Sequence, residues 1–520
     1  MPNDIWDLFA DRCTKSPDSE AVVYSGKRWT WKELECDVNQ LSNRLFLAGV
    51  SKGSVVGVYF DHSFAQIASI FAISKLGGIF TLISPHLKSE QVKSQVFDSA
   101  ITHIVGQATF VSQYVDFFAN TNISILELDD FGNFTNPPAT ATIEVTPTPT
   151  SHHFIPKDVA CYIYTSGSTG KPKGVVVPHK TLLDGARIVS SYLKITRSDN
   201  ILSILSFGFD YGLNQLLSAV YTGAKIVVLN YRLPMDLLSS IEKEKITAFA
   251  AVPSLWPNLF HEKLVNRALF GEFEHLRYIT TAGGTHSKKL LENLTRFFPN
   301  TDIIIMYGLT ESFRSTFLPP EKVLEKIGSI GKAVPEVEIM IVNEKGKPCL
   351  SGEKGELIHR GAFVNYGYLN NKELTKLKYK PLSLAGSGCL PEYAVRSGDL
   401  VSMDDEGFIF FHGRIDSLIK VHGHRVSPGE IEDIALSFKD IRYAVAVEII
   451  STDDDSYIAL AYSTYSEGDI DKLEFQDYLK SKLPYYAVPK LIRFYQDVHL
   501  NKNGKIDYAR IKAEIGASEP

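Results

Sequence analysis

The hydrophobic and polar positions of the first 130 residues alternate between strand-like and helix-like patterns. Residues 22–24 predict a short strand, and residues 54–60 (SVVGVYF) predict a buried one. Thr30 and Glu33 have the spacing of a helix capping box. Behind them, apolar residues recur at helical spacing up to Gly49: Leu34, Val38, Leu41 and Leu45. Such alternation predicts an α/β fold built on a sheet.

Changes in this pattern divide the chain into parts. Residues 134–150 are rich in Pro and Thr and predict an extended connector. Residues 328–412 hold short β-like runs, which predict a small β subdomain. From residue 413 onward, a helix start at Gly429 and two strand-like runs predict a separate α+β unit. We therefore expect a large N-terminal core over 1–412, with two αβ-layered subdomains and the β subdomain, and a small α+β domain over 413–520.

Composition excludes several classes of protein. The chain has 520 residues and a formal net charge of −6, so a nucleic-acid binder that relies on bulk positive charge is not expected. Its five cysteines are widely spaced without a CxxC pair, which argues against a disulfide framework or a zinc site. No signal peptide and no run of 18 apolar residues occur. We expect a cytoplasmic protein with neither nucleic acid nor membrane as a partner.

The clearest chemical feature is the stretch YTSGSTGKPKG at residues 164–174. Small residues let backbone N–H groups approach an anion, and hydroxyl and lysine side chains add donors, so the stretch predicts a polyphosphate site. It is not a Walker A loop, because Thr165 stands where that motif needs Gly and Pro172 follows Lys171. A flexible Gly/Ser linker is the alternative, but its flanks read as strands. The candidate phosphate contacts are Thr165, Ser166, Gly167, Ser168, Thr169, Gly170, Lys171 and Lys173.

This loop resembles the phosphate loop of the adenylate-forming superfamily, which includes acyl-CoA synthetases, peptide-synthetase adenylation domains and luciferases. Further motifs follow in the family order: residues 306–311 (MYGLTE), 397–400 (SGDL), 413–432 (from GRID to GEIE) and 503–505 (NGK). Five ordered motifs over ~340 residues are far more specific than any one alone. The resemblance covers essentially the whole chain. It implies an enzyme that uses ATP and Mg²⁺ to form an acyl-adenylate and then passes the acyl group to a thiol.

The resemblance implies a catalytic role for three residues. Thr310 would donate to an α-phosphate oxygen, and Glu311 would hold Mg²⁺, a cation that prefers oxygen ligands. Lys505 would contact both the substrate carboxylate and the phosphate and stabilise the transition state.

The resemblance also implies a nucleotide site and a hinge. Asp399 would accept the ribose hydroxyls, Arg414 would lie near the ribose and phosphate, and Tyr307 would stack on adenine. Asp416 would be the hinge that lets the C-terminal domain rotate between adenylation and thiol transfer. The remaining predicted nucleotide contacts are Gly283, Gly284, Met306 and Gly308.

Residues 209–212 (FDYG) resemble the motif where amino-acid-activating domains place an aspartate. Asp210 would pair with the α-ammonium group of the substrate; alternatively, it caps a helix that begins at Tyr211. Arg314 would pair with Asp210 or bind a second carboxylate on the substrate. Bulky side chains make the implied pocket small, which favours a compact amino acid. Its expected lining is Asp210, Tyr211, Asn214, Ala250, Thr280, Ala282, Met306, Arg314 and Ser315.

The stretches FDYGLNQLL and MYGLTESFRSTFLPP resemble stand-alone prolyl-adenylating enzymes of secondary-metabolite biosynthesis and nonribosomal peptide synthesis. They also resemble acyl-CoA-ligase-like enzymes linked to exosortase systems. We therefore expect activation of an amino acid, L-proline first, and its transfer to the phosphopantetheine thiol of a separate peptidyl carrier protein. An acyl- or aryl-CoA ligase and a non-catalytic nucleotide-binding protein on the same fold are the alternatives.

Overall fold

A computed structural model describes residues 2–135, 154–166, 172–260, 273–382, 392–421, 424–450, 456–466, 468–501 and 504–517. The strands in chain order are β1 (Glu20–Tyr24), β2 (Lys27–Thr30), β3 (Val55–Tyr59), β4 (Ile79–Leu82), β5 (His103–Gln107), β6 (Ser124–Leu128), β7 (Val159–Ser166), β8 (Pro172–Pro178), β9 (Asn200–Ser203), β10 (Lys225–Val228), β11 (Ala248–Ala251), β12 (Tyr278–Thr281), β13 (Asp302–Tyr307), β14 (Thr316–Leu318), β15 (Ser329–Ala333), β16 (Val337–Val342), β17 (Gly355–Gly361), β18 (Tyr379–Leu382), β19 (Glu392–Met403), β20 (Ile409–Arg414), β21 (Ile419–Val421), β22 (His424–Val426), β23 (Ile441–Ile450), β24 (Ser456–Thr464) and β25 (Leu491–Phe494).

The α-helices in chain order are α1 (Ile5–Lys15), α2 (Trp31–Leu47), α3 (Phe64–Lys75), α4 (Ser89–Asp98), α5 (Ala108–Val111), α6 (Val115–Ala119), α7 (His179–Tyr192), α8 (Asp210–Thr222), α9 (Pro234–Lys243), α10 (Trp256–Leu259), α11 (Lys288–Phe297), α12 (Lys372–Lys378), α13 (Pro428–Leu436), α14 (Lys472–Lys482) and α15 (Tyr508–Gly516). None of these described helices combines the length and the apolar character that crossing a bilayer requires. The mixed α/β fold class that the sequence predicts is confirmed.

Two large sheets form the N-terminal core. The first has the strand order β6-β5-β3-β4-β7-β8, parallel except for β8. The second has 14 strands, and its central members β1, β10, β9, β11, β12 and β13 run parallel. Parallel strands need helical crossovers that cover both faces of a sheet, which explains why strands and helices alternate along this part of the chain.

Helices pack between the two sheets and on their outer faces. The largest apolar cluster joins α1, α2, α3, α7 and α8 with residues of both sheets. A second cluster packs α9, α10 and α11 against the outer face of the longer sheet, and a third packs α4, α5 and α6 against the first sheet. The N-terminal core therefore has alternating helix and sheet layers, as a chain with several apolar faces requires.

Local sequence signals account for individual elements. Thr30 caps α2, and its side chain and that of Glu33 form the reciprocal capping box that their spacing predicts. All five residues of β3 are buried, in agreement with the apolar run at 54–60. Gly49, which the sequence assigns to the helix stop, lies just beyond the end of α2 and has a φ of 98°.

Strands β15 to β20 form the β-rich segment that the sequence predicts at 328–412. They pair antiparallel and continue the longer sheet through β14. The expected connector at 134–150 lies almost wholly outside the described residues. The boundary at 412/413 stays a prediction.

A smaller C-terminal domain contains β21–β25 and α13–α15. Strands β23, β24 and β25 form a three-stranded sheet. Helices α13 and α14 cover one face through an apolar cluster, and α15 covers the other. This α+β arrangement agrees with the element types that the sequence predicts after residue 413.

Candidate active site

A cleft of about 1520 Å³ lies between the N-terminal core and the C-terminal domain. It opens beyond the carboxyl ends of β11, β12 and β13, where open α/β sheets usually bind ligands. Predicted site residues from both parts of the chain line it: Thr165, Lys173, Asp210, Tyr211, Ala282, Gly283, Gly284, Gly308, Thr310, Glu311, Arg314, Arg414, Asp416 and Lys505.

A tight turn of the C-terminal domain carries Lys505 into this cleft. Leu500 and Ile506 form an antiparallel bridge, and within it Lys505 N–H donates to the Asn501 side chain at 3.1 Å. Gly504 has a φ of 71°, a conformation that favours glycine. The Ser254 hydroxyl of the N-terminal core donates to the Gly504 carbonyl, so the turn is fixed from both sides.

The Lys505 side chain crosses an apolar surface before it reaches the cleft. Its Nζ lies 4.8 Å from the centre of the Phe209 ring, close enough for a cation–π contact. A Cβ on Gly283 would lie 2.9 Å from the same Nζ, so a side chain there would displace the lysine. Burial lowers the pKa of Lys505; the negative charge of Asp210 opposes this shift and the positive charge of Arg314 adds to it.

Thr310 and Glu311 follow the end of β13. Their main chain is held by Asn365, whose side-chain amide donates to the Thr310 carbonyl at 2.8 Å and whose N–H donates to the Glu311 carbonyl at 3.1 Å. The Tyr368 hydroxyl donates to Glu311 Oε1. A Cβ on Gly308 would lie 2.4 Å from the Phe313 carbonyl oxygen, so the turn before Thr310 requires glycine. These contacts fix one hydroxyl and one carboxylate on the cleft wall.

Asp399 of β19 forms a polar cluster with two predicted nucleotide contacts. The Tyr307 hydroxyl donates to Asp399 Oδ2, and Arg414 Nη1 lies 3.5 Å from Oδ1. Within the described part of the chain, Oδ1 has no hydrogen-bond partner although it is buried. Burial raises the pKa of Asp399, while Arg414 and Tyr307 act to lower it. Asp399 Oδ1 can therefore still accept a hydrogen bond, which is what a carboxylate that binds hydroxyl groups requires.

The expected hinge residue lies directly beyond this cluster. Asp416 belongs to a short 3-10 helix (Ile415–Ser417) between β20 and β21. Its Oδ1 accepts from Arg414 Nε at 3.1 Å. The ion pair links the predicted ribose contact to the predicted hinge, whose motion stays a prediction.

Asp210 and Arg314 form a buried pair at the base of the cleft. Asp210 is the first residue of α8, and Phe209 takes the N-cap position, so the alternative reading, in which Asp210 caps a helix that starts at Tyr211, is wrong. Asp210 Oδ2 lies 3.9 Å from Arg314 Nη1, an electrostatic contact longer than a hydrogen bond. The Arg314 guanidinium also stacks 4.5 Å from the centre of the Tyr211 ring.

This pair leaves several polar atoms unmatched. Arg314 Nη1 donates to the Phe313 carbonyl at 3.1 Å. Among the described residues, Arg314 Nε and Nη2 and Asp210 Oδ1 have no hydrogen-bond partner. Buried charged groups without partners are costly, so unmatched atoms beside a cleft are typical of a site completed by a ligand.

The other predicted pocket residues separate into two groups. The Tyr211 hydroxyl donates to Thr280 Oγ1 at 2.6 Å, and behind this contact lies a second cavity of about 20 Å³ that Asn214 and Met306 also line. Ala250 lies beside Thr280 in the register of β11 and β12. Ser315 is not among the residues that line either cavity; its Oγ is 2.9 Å from His359 Nδ1.

The predicted phosphate loop is described only at its edges. Thr165 of β7 and Lys173 of β8 are paired in the antiparallel register, and both line the cleft. Ser166 ends β7. The five other predicted contacts lie outside the described residues: Gly167, Ser168, Thr169, Gly170 and Lys171.

Several contacts of the site were not predicted from the sequence. Phe209 packs against Lys505, Tyr368 binds Glu311, and Asn365 orients the turn that carries Thr310. Phe209 stands next to Asp210 in the FDYG motif, so the sequence could have placed its side chain near the site. Tyr368 and Asn365 lie more than 50 residues from their partners, and only the fold brings them together.

The chain is similar to known proteins along nearly its whole length. Zwittermicin A synthase ZmaJ of Bacillus cereus is 27% identical over 531 residues, which cover 100% of this chain and 96% of the relative. Gramicidin S synthase 2 of Brevibacillus brevis is 28% identical over 506 residues, which cover 97% of this chain but 11% of that longer protein.

Solved structures share the fold. ATP-bound MatB from Rhodopseudomonas palustris has a TM-score of 0.87 at 19% identity, with 99% of each chain covered. The anthranilate CoA ligase AuaEII in complex with anthranoyl-AMP has a TM-score of 0.85 at 22% identity, with 99% of this chain and 98% of that chain covered. The family model described as AMP-binding enzyme matches residues 9–369, more than half of the chain. The chain therefore belongs to the AMP-binding enzyme family and is an adenylate-forming ligase.

Proposed function

We propose that the chain activates a compact α-amino acid as its adenylate and passes the aminoacyl group to the phosphopantetheine thiol of a separate carrier protein. The observation that carries this proposal is the buried carboxylate of Asp210 at the base of the cleft that holds Lys505. Burial raises the pKa of Asp210, and the positive charges of Arg314 and Lys505 oppose that shift. A substrate ammonium group would supply the hydrogen-bond donor that Oδ1 lacks.

The first half-reaction forms the adenylate. An oxygen of the substrate carboxylate attacks the α-phosphorus of ATP, the bond to the bridging oxygen breaks, and pyrophosphate leaves. Lys505 would neutralise charge on the carboxylate and the phosphate, and Thr310 would donate to a phosphate oxygen. In the second half-reaction the thiol sulfur attacks the acyl carbon, and AMP leaves as the carbon–oxygen bond breaks.

Glu311 is the residue that we propose for magnesium. No cluster of three or more ligating side chains occurs within the described ranges. This fits Mg²⁺, which usually takes one or two protein carboxylates and completes its shell with phosphates and water. Bound there, the ion would neutralise phosphate charge. The chain's own contribution is Glu311, which Tyr368 orients through Oε1.

L-Proline is the first substrate that we propose, on the basis of the sequence resemblance. The unpaired state of all four described cysteines supports a reducing, cytoplasmic setting: Cys13, Cys36, Cys161 and Cys349. A role in nonribosomal peptide synthesis follows from the same proposal, since the relatives include zwittermicin A and gramicidin S synthases.

An acyl- or aryl-CoA ligase is the second candidate. Arg314 already places a positive charge 3.9 Å from Asp210, so a substrate without an ammonium group would not leave that carboxylate without a counter-charge. The fold likeness to an anthranilate CoA ligase is compatible with this alternative.

We expect the substrate class to be revealed by the exchange of labelled pyrophosphate into ATP across proteinogenic amino acids, aspartate-like diacids, and fatty and aryl acids. L-Proline should give the strongest exchange. Exchange with fatty or aryl acids alone would rule out the amino-acid assignment.

We expect Asp210→Asn to raise the KM for the amino acid in the same exchange assay about 100-fold, because the buried pair between Asp210 and the substrate ammonium group loses its negative charge. The exposed Asp302→Asn variant serves as the control.

We expect Lys505→Ala to lower adenylate formation by about 10²–10³-fold, as the loss of one transition-state contact does in other enzymes. ATP binding, measured by calorimetry, should persist because other groups hold the nucleotide. Lys480→Ala changes an exposed lysine of the same domain and should leave exchange unaltered. Wild-type exchange in Lys505→Ala would remove this lysine from the mechanism.

We expect Asp399→Asn to raise the KM for ATP about tenfold, since an amide is a weaker acceptor of ribose hydroxyls than a carboxylate. The penalty should shrink when 2′-deoxy-ATP replaces ATP, because one of the two hydroxyl contacts is then already missing. Asp405→Asn, at an exposed position nearby in the sequence, is the control. An equal penalty with both nucleotides would show that Asp399 does not bind the 2′-hydroxyl.

A further inference from the structure

The C-terminal domain is held to the N-terminal core by hydrogen bonds between residues that mostly line the same cleft but that the proposed function does not assign to the reaction. On the core side they come from Ser254, Asn258 and Lys289. On the other side they reach the end of α13, the start of β23 and the turn at Gly504. We call this set of contacts the docking seam.

Lys289 makes three of the hydrogen bonds of the docking seam. Its Nζ donates to three carbonyl oxygens of the C-terminal domain, those of Leu436, Phe438 and Ile441, at 3.2, 3.1 and 3.4 Å. Leu436 is the last residue of α13, so the ammonium group lies where a helix leaves carbonyls unpaired and carries partial negative charge. A cation from α11 thus completes a helix end in the other domain.

Ser254 connects the docking seam to the catalytic turn. The Tyr443 hydroxyl donates to the Ser254 carbonyl at 2.6 Å, and the Ser254 hydroxyl donates to the carbonyl of Gly504, the residue before Lys505. One turn further along the core, Asn258 accepts from the Arg442 guanidinium. A shift of the C-terminal domain at this seam therefore moves the backbone of Lys505.

We propose that Lys289 and Ser254 are positioning residues that hold Lys505 in the cleft for adenylate formation. The neighbouring Lys288 does not share these contacts with the C-terminal domain. Its side chain is exposed, and its Nζ lies 3.7 Å from Oε1 of Glu292 on the same helix. Loss of the seam slows the step that needs Lys505 and spares the step that does not.

The test compares Lys289→Ala with Lys288→Ala, with Lys289→Arg as the conservative variant. In the unliganded full chain, Lys289→Ala should increase hydrogen–deuterium exchange of the amides of residues 252–259 and 504–507 about tenfold, with β3 unchanged. Lys289→Arg should retain protection because a guanidinium also donates to carbonyls. Lys288→Ala should match the wild type. Unchanged protection in Lys289→Ala, or a loss that extends to β3, would overturn the proposal.

Activity gives the second readout, and this arm rests on the proposed function. With L-proline, or the acid that supports exchange in the substrate panel, Lys289→Ala should lower the kcat of pyrophosphate exchange about tenfold and leave the KM for ATP unchanged. Transfer from a synthetic acyl-adenylate to phosphopantetheine should keep its rate. An equal fall in both half-reactions would reduce Lys289 to a structural role. If no acid supports exchange, the proposed function fails, and the amide-exchange result alone decides the positioning role.

Discussion

The positive charge of the partly buried Lys505 side chain is the constraint on which the cleft depends. Removing a cation from water costs free energy unless nearby groups stabilise its charge. Here the ring of Phe209 and the carboxylate of Asp210 stabilise it in part. A bound anion, such as a carboxylate or phosphate, would supply the remaining stabilisation. Gly283 supplies the space that the lysine side chain needs, and the turn at Gly504 aims it. Without a bound anion, the positive charge of Lys505 is only partly balanced, which favours the binding of an acid together with a nucleotide.

Two buried carboxylates likewise have incomplete hydrogen bonding. Asp399 and Asp210 are both buried, both lie near an arginine, and each keeps one oxygen without a hydrogen-bond partner among the described residues. Asp210 lines the cleft, and Asp399 directly follows Ser397 and Gly398, which line it too. Buried polar groups without partners beside a cleft are candidates for contact with a ligand. The proposed function accordingly assigns Asp399 to the nucleotide and Asp210 to the acid.

Much of this arrangement could be predicted from the sequence because the relevant signals are local. The capping box at Thr30, the apolar run of β3 and the ordered motifs around Thr310, Asp399 and Lys505 each depend on residues close together in the chain. The alternative reading of Asp210 as a helix cap placed the start of α8 one residue too late, since helix ends depend on backbone geometry that residue types specify only loosely.

Contacts between distant segments could not be predicted in this way. Lys289 looks like any surface lysine in the sequence, and only the approach of α13 gives it three carbonyl partners. The continuity of the longer sheet through β14 is likewise a property of strand pairing, which apolar patterns do not specify. For the same reason the sequence did not predict the contact of Ser315, a residue that the resemblance assigns to the substrate pocket, with His359.

The small cavity behind Tyr211 gives this side chain a place in two spaces. Among the described residues, only Tyr211 belongs to the linings of both this cavity and the main cleft. The cavity is about 20 Å³, enough for a water-sized group, and it is bordered by Asn214 and Ser218, whose Nδ2 and Oγ atoms lack described partners. A substitution at Tyr211 therefore alters the wall of the cleft and the wall of a polar interior cavity at the same time.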